Sequence, residues 1–162
     1  RTRAETAFAE AQKAGNEALA EALLVGLKTF PEQDYFILHR RDKGGKTRLS
    51  PIVGPHKDKV IQRMKATPPQ GKVWQYVSTN CDVHGYRSDY ATFIYKQYAR
   101  PIEQLDYHKK IRCSDGKYRS EMYICRGSER RKRLDRRAVG IISIALGHSR
   151  EDTAITNYIR NL

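Results

Sequence analysis

From residue 4 to residue 28, alanines and leucines recur among strong helix formers with no proline, a pattern that predicts helix. Gly15-Asn16 interrupts it, so the stretch is either one long helix or two with a break at that pair. Beyond Pro31 the spacing changes. YFILH (35–39) and TRLSPIV (47–53) read as strands flanking the Gly-Gly turn of RDKGGK, so a β-hairpin is expected, with Lys43 and Lys46 at its turn. Val60, Ile61 and Met64 share one face of a helix over 57–66, and PPQG (68–71) is loop. A further helix starts near His84 and runs to about Tyr98, with Tyr90, Ile94 and Tyr98 at i, i+4 and i+8, a stripe better suited to a core than to a site.

Residues 107–125 alternate weakly around Ser114-Asp115-Gly116, which predicts a second hairpin ending in KYRSEMYIC. The next segment, residues 126–137, holds six arginines and one lysine. AVGIISIAL (138–146) is an apolar helix too short to span a membrane, closed by Gly147 at the C′ position. A last helix begins near Ser149 with Glu151 and Asp152 in its first turn, as the helix dipole favours, and it carries Tyr158. The overall expectation is an α+β fold, mainly helical, with a small antiparallel sheet.

Composition sharpens the picture. At 162 residues the chain has the size of one domain, so residues 1–162 are expected to form a single domain. Its 31 Lys and Arg against 18 Asp and Glu give a net charge of +13, an excess best explained by a polyanionic partner, nucleic acid first. Cys81, Cys113 and Cys125 are odd in number and lack CxxC spacing, which suggests neither a disulfide framework nor a zinc ribbon. With no apolar run of membrane-spanning length, an intracellular, soluble protein without membrane partners is expected. The chain starts at an arginine, so a fragment of a longer protein is expected too.

The candidate chemistry lies in separated segments. HGYR (84–87) puts His84 and Arg87 one helical turn apart, where both side chains can address one site. LGHS (146–149) puts His148 at a helix junction, and Tyr158 follows ten residues later as a candidate nucleophile. The hairpin turn extends Lys43 toward a substrate from the side. Each residue also has a structural reading. His84 can bond backbone at a helix start, His148 can cap a helix, turn lysines keep hairpins soluble, and tyrosines pack.

Taken together, Lys43 in KGGK, His84 and Arg87 in HGYR followed by SDYAT, His148 in LGHS and Tyr158 in TAITNY resemble the tyrosine recombinases, the integrases of phages and mobile elements. The resemblance runs in order from about residue 35 to the C-terminus. It implies the recombinase catalytic-domain fold, with Tyr158 as nucleophile, Arg87 as phosphate clamp, Lys43 as the acid for the leaving oxygen, and His84 and His148 as proton-transfer or hydrogen-bonding partners. It also implies double-stranded DNA as partner, self-association as dimer or tetramer on DNA, a cytoplasmic, nucleoid-associated setting in a bacterium or phage, and an N-terminal DNA-clamping domain outside this chain. No cofactor and no metal are expected. Lys46, Arg126, Arg130, Arg131, Lys132, Arg133, Arg136 and Arg137 are the expected DNA-binding cations, because an arginine run ahead of an apolar helix is suited to lie along phosphates.

Three features depart from the family pattern. A further clamp arginine belongs upstream of the hairpin lysine, near Glu17 to Ala20, and none is there; Arg1 or Arg3 serves only if the intervening segment is longer than usual. The His148 to Tyr158 spacing is one residue longer than is common in the family. The chain also has no room for the family's C-terminal exchange helix. The alternatives are a noncatalytic DNA-binding module derived from a recombinase and a type IB topoisomerase-like strand cleavage.

Overall fold

The computed structural model describes residues 1–42, 45–113, 115–126, 129–148, 153 and 155. These residues form an α+β structure with five α-helices and three separate two-stranded antiparallel sheets. They divide into two compact units, Arg1–Val83 and His84–Leu162.

In the first unit the Ala-rich stretch is two helices, α1 (Thr2–Lys13) and α2 (Glu17–Thr29). Asn16 explains the restart. Its side chain accepts the Leu19 N–H at 3.2 Å, which satisfies one of the four donors that a helix start leaves open. Strands β1 (Phe36–Asp42) and β2 (Lys46–Pro51) pair antiparallel, with a register irregularity between His39 and Asp42. Leu23 and Leu27 of α2 and Leu49 of β2 form a buried hydrophobic cluster in this unit, with Ala4, Ala7, Phe8, Leu19, Phe36 and Leu38 packed against it.

The approach of α2 to β2 depends on one glycine. A Cβ at Gly26 would meet the Leu49 Cβ at 2.5 Å, closer than any real contact, so the helix lies against the strand only because position 26 has no side chain. Helix α3 (Lys57–Ala66) completes the unit, with Ile61 buried and Val60 and Met64 half-buried on the expected face.

The second unit opens on α4 (Val83–Tyr98), whose Ala91, Ile94 and Tyr95 are buried. Of the expected stripe only Ile94 is fully buried, while Tyr90 and Tyr98 are half-buried. A single 3-10 turn (Ile102–Gln104) leads to β3 (Lys110–Arg112) and β4 (Tyr118–Ser120), which form the hairpin read from the sequence.

KYRSEMYIC is two strands rather than one. After β4 the chain turns at Glu121 and continues as β5 (Met122–Ile124), which pairs with β6 (Arg133–Asp135). The physical reason is the burial of Glu121, at 1% exposure, whose carboxylate accepts from the Asp106 N–H at 2.8 Å and from Arg100 at 3.0 Å. Helix α5 (Arg136–Leu146) follows directly, with Ala138, Val139, Ile142, Ala145 and Leu146 buried. No helix among the described residues is long and apolar enough to cross a membrane.

Candidate active site

The centre of the second unit is an ion cluster built around Arg100. Its guanidinium holds Asp135 through two parallel bonds, Nε to Oδ2 at 2.8 Å and Nη2 to Oδ1 at 3.0 Å, and donates to Glu121 Oε2 at 3.0 Å. The backbone N–H of Arg100 also reaches Asp135 Oδ2 at 3.0 Å. Asp135 is fully buried, and burial alone would raise its carboxyl, yet the bonds from Arg100 hold it below the usual range. The Asp106 N–H, helped by Arg100, lowers Glu121 against the opposing effect of desolvation.

Asp135 has a second task. It is the N-cap of α5 and accepts the Arg137 N–H at 2.9 Å, while its own N–H donates to the Tyr95 hydroxyl at 2.9 Å. The start of α5 is thereby fixed to α4 and to the strands.

The far end of α5 is fixed as well. Gly147 takes a left-handed conformation, φ 75°, its N–H bonding the Ile144 carbonyl at 3.2 Å while the His148 N–H bonds the Ser143 carbonyl at 2.8 Å. This pair of bonds is the Schellman closure, with His148 as the second residue past the helix. Arg87, half-buried on α4, donates from Nη2 to the Leu146 carbonyl at 3.3 Å. A cation at a helix C-terminus is favoured by the dipole and satisfies a carbonyl that the helix leaves open.

Arg87 and His148, 61 positions apart in sequence, therefore meet the same end of α5. His84 is exposed, one turn before Arg87 on α4. Lys43 and Tyr158, together with Ser149, Glu151 and Asp152 of the expected last helix, lie outside the described residues. Ile155 of that segment is buried, at 8% exposure.

The expected DNA-binding cations fall into two groups. Lys46 is exposed at the start of β2, and Arg126, Arg130, Arg131, Arg133 and Arg137 are exposed in the second unit. Lys132 pairs with Glu129 at 3.3 Å, while Arg136 donates to the Ser120 carbonyl and stacks 4.9 Å from the Tyr123 ring. Within this run, residues 129–137 are thus a folded turn, strand and helix start. Arg133, with Leu105, Asp106, Tyr107, Met122 and Ile124, lines an open groove of about 560 Å³.

Arg1, one candidate for the upstream clamp, is engaged within its own unit. Its Nη1 donates to the Pro31 carbonyl at 2.8 Å and its Nε pairs with Glu5 at 2.9 Å. Arg3 is exposed on α1. Sequence reading missed Arg100, because one arginine between a helix and a proline gives no sign that two distant carboxylates converge on it. Among the described residues no group of three or more His, Cys, Asp or Glu is arranged to hold a metal ion. Protein-family models, curated proteins and solved structures each yield no match to this chain.

Proposed function

We propose that the chain is the catalytic part of a tyrosine-type site-specific DNA recombinase. The Tyr158 oxygen attacks a backbone phosphorus, the new Tyr–O–P bond forms as the P–O5′ bond breaks, and the freed 5′ oxygen takes a proton from Lys43. Rejoining reverses the step with a different 5′-hydroxyl, and conservation of the phosphodiester bond energy in the protein–DNA link removes any need for ATP. Arg87 neutralises charge on the non-bridging oxygens through its planar fork. His148 and His84 take or share the phenolic proton, which an unperturbed tyrosine, with a pKa of about 10, gives up reluctantly.

The observation that carries the reading is the convergence of Arg87 and His148 at one end of α5, ten residues before Tyr158. In a basic chain this pair at the exit of a capped helix supports the reading, because strand cleavage requires a phosphate clamp and a proton acceptor close together. The test is a suicide DNA substrate, nicked so that rejoining fails, followed by denaturing electrophoresis. A DNA-linked band is expected from the wild-type chain and none from Tyr158→Phe, which keeps the ring and loses the oxygen. A substrate with sulfur at the bridging 5′ position should rescue Lys43→Ala, because that leaving group departs without a proton.

The noncatalytic DNA-binding module remains a second reading because no arginine stands at Glu17 to Ala20. It predicts duplex binding with no covalent band from any substrate.

A further inference from the structure

The β3–β4 ribbon has two unlike faces. Its register pairs Lys110 with Ser120, Ile111 with Arg119 and Arg112 with Tyr118. Residues directly opposite share a face and successive residues alternate, so Lys110, Arg112, Tyr118 and Ser120 fall on one side and Ile111 and Arg119 on the other, with Ser120 buried at 8% exposure at one end of the first side. Ile111 is half-buried, whereas Lys110, Arg112 and Tyr118 are exposed, Tyr118 to 69%. The Lys110 ammonium stands 5.8 Å from the ring of Tyr107, itself exposed.

The nearby acids are committed elsewhere. Arg119 holds Asp115 through two bonds of 2.8 and 2.6 Å, and Glu121 is taken by Arg100, Lys109 and the Asp106 N–H. Among the described residues neither Lys110 nor Arg112 has a carboxylate within ion-pair reach. The outer face therefore presents two cations and a phenol ring with no counter-charge of its own.

We propose that this ribbon is a separate DNA contact, docking its Lys110, Arg112 and Tyr118 face into the major groove of duplex DNA. The major groove of B-DNA admits a two-stranded β-ribbon, and phosphates along its walls supply the missing negative charge. Lys110 and Arg112 bind phosphate oxygens, and Tyr118 packs its ring and donates its hydroxyl along the groove wall. An anionic membrane would attract the same cations, but this face carries no aliphatic side chain to enter the acyl region. The choice of duplex DNA rests on the recombinase reading, and measuring binding apart from covalent capture separates the two.

The experiment uses the full chain and a labelled duplex across a salt series, with circular dichroism confirming that each variant folds. The triple variant Lys110→Ala/Arg112→Ala/Tyr118→Ala is compared with Lys13→Ala/Lys28→Ala, which removes equal charge from α1 and α2. Loss of two phosphate contacts should weaken duplex binding about tenfold and make the log K against log salt slope shallower by about 2, while the control changes affinity by less than about twofold. If the alanine variant misfolds, Lys110→Gln/Arg112→Gln replaces it, with the same expectations. Affinity and slope matching the control overturn the proposal. So does an equal loss on single-stranded DNA, or a greater ribbon-dependent affinity for phosphatidylserine vesicles than for duplex. Normal ribbon-variant binding beside a wild-type covalent band removes this inference alone. Ribbon-dependent duplex binding with no covalent band from wild type removes the recombinase reading and leaves the ribbon standing.

Discussion

Arg87 Nη2 and the carbonyl oxygen of Leu146 meet at 3.3 Å, which joins the N-terminal part of one helix to the last turn of another and sets Arg87 beside the turn that leads into His148. The bond gives Arg87 a structural role that is separable from the phosphate contact proposed for it. Arg87→Ala should lower stability by about 1–2 kcal/mol through the lost charged hydrogen bond. It should also lower covalent capture about 10²–10³-fold through lost charge stabilisation. Arg87→Lys keeps the charge without the planar fork, so recovery of stability without capture would separate the roles. Thermal melts and the suicide-substrate assay read the two effects, and near-normal capture by Arg87→Ala would remove it from the active site.

Asp135 should be the most sensitive carboxylate of the second unit. Asp135→Asn keeps a capping side chain and loses the ion pair, whereas Asp135→Ala loses both. Arg100 is 29% exposed and so keeps some water. The expected cost of Asp135→Asn is therefore about 2–3 kcal/mol, below that of breaking a fully buried pair, with Asp135→Ala costing about 1 kcal/mol more for the cap. Urea unfolding measures both, and equal midpoints for the two variants would mean the cap contributes nothing.

The same cluster fixes the response to acid. Asp135 and Glu121 are held below their ordinary values in the fold, so their stabilisation is full above the unfolded carboxyl range of about 4 and is lost as pH falls below it. Arg100→Gln should lower stability at neutral pH and flatten the loss of stability between about pH 4 and pH 2. An acid-unfolding curve as steep in the variant as in wild type would assign the acid sensitivity to other groups.

Gly147→Ala places a side chain at φ 75° and should cost about 1–2 kcal/mol. Gly147→Asn should cost less, since asparagine tolerates the left-handed region. Because the turn aims His148, capture should fall further with alanine than with asparagine; the reverse order in the suicide-substrate assay would detach His148 from the chemistry.

Much of the fold was legible because its cues were local. The β1–β2 hairpin, the helix over 57–66 and the closure of α5 at Gly147 each depend on residues within a few positions, as does the break at Gly15-Asn16, one of the two readings open for that stretch. What escaped was non-local. KYRSEMYIC alternates well enough for one strand, and only the distant Asp106 and Arg100, drawing Glu121 inward, show why the chain turns there. The arginine run at 126–137 read as one basic surface because Asp135 within it gave no sign of being a buried cap. The pairing of Arg87 with the end of α5 was approachable only as motif order, since no spacing rule links positions 59 apart.

The missing side chain at Gly26 fixes a volume shared with Leu49. A methyl group added at position 26 would meet the Leu49 Cβ at 2.5 Å and the Leu49 carbonyl oxygen at 3.0 Å, atoms that every residue with a side chain keeps at position 49, so no trimming there makes room for it. Among diverged sequences that keep this helix on this strand, position 26 should therefore stay glycine whatever stands at 49, and Gly26→Ala should be as poorly tolerated in a Leu49→Ala background as alone, because alanine keeps the Cβ. Such invariance would register the contact in the evolutionary record independently of anything the proposed chemistry requires.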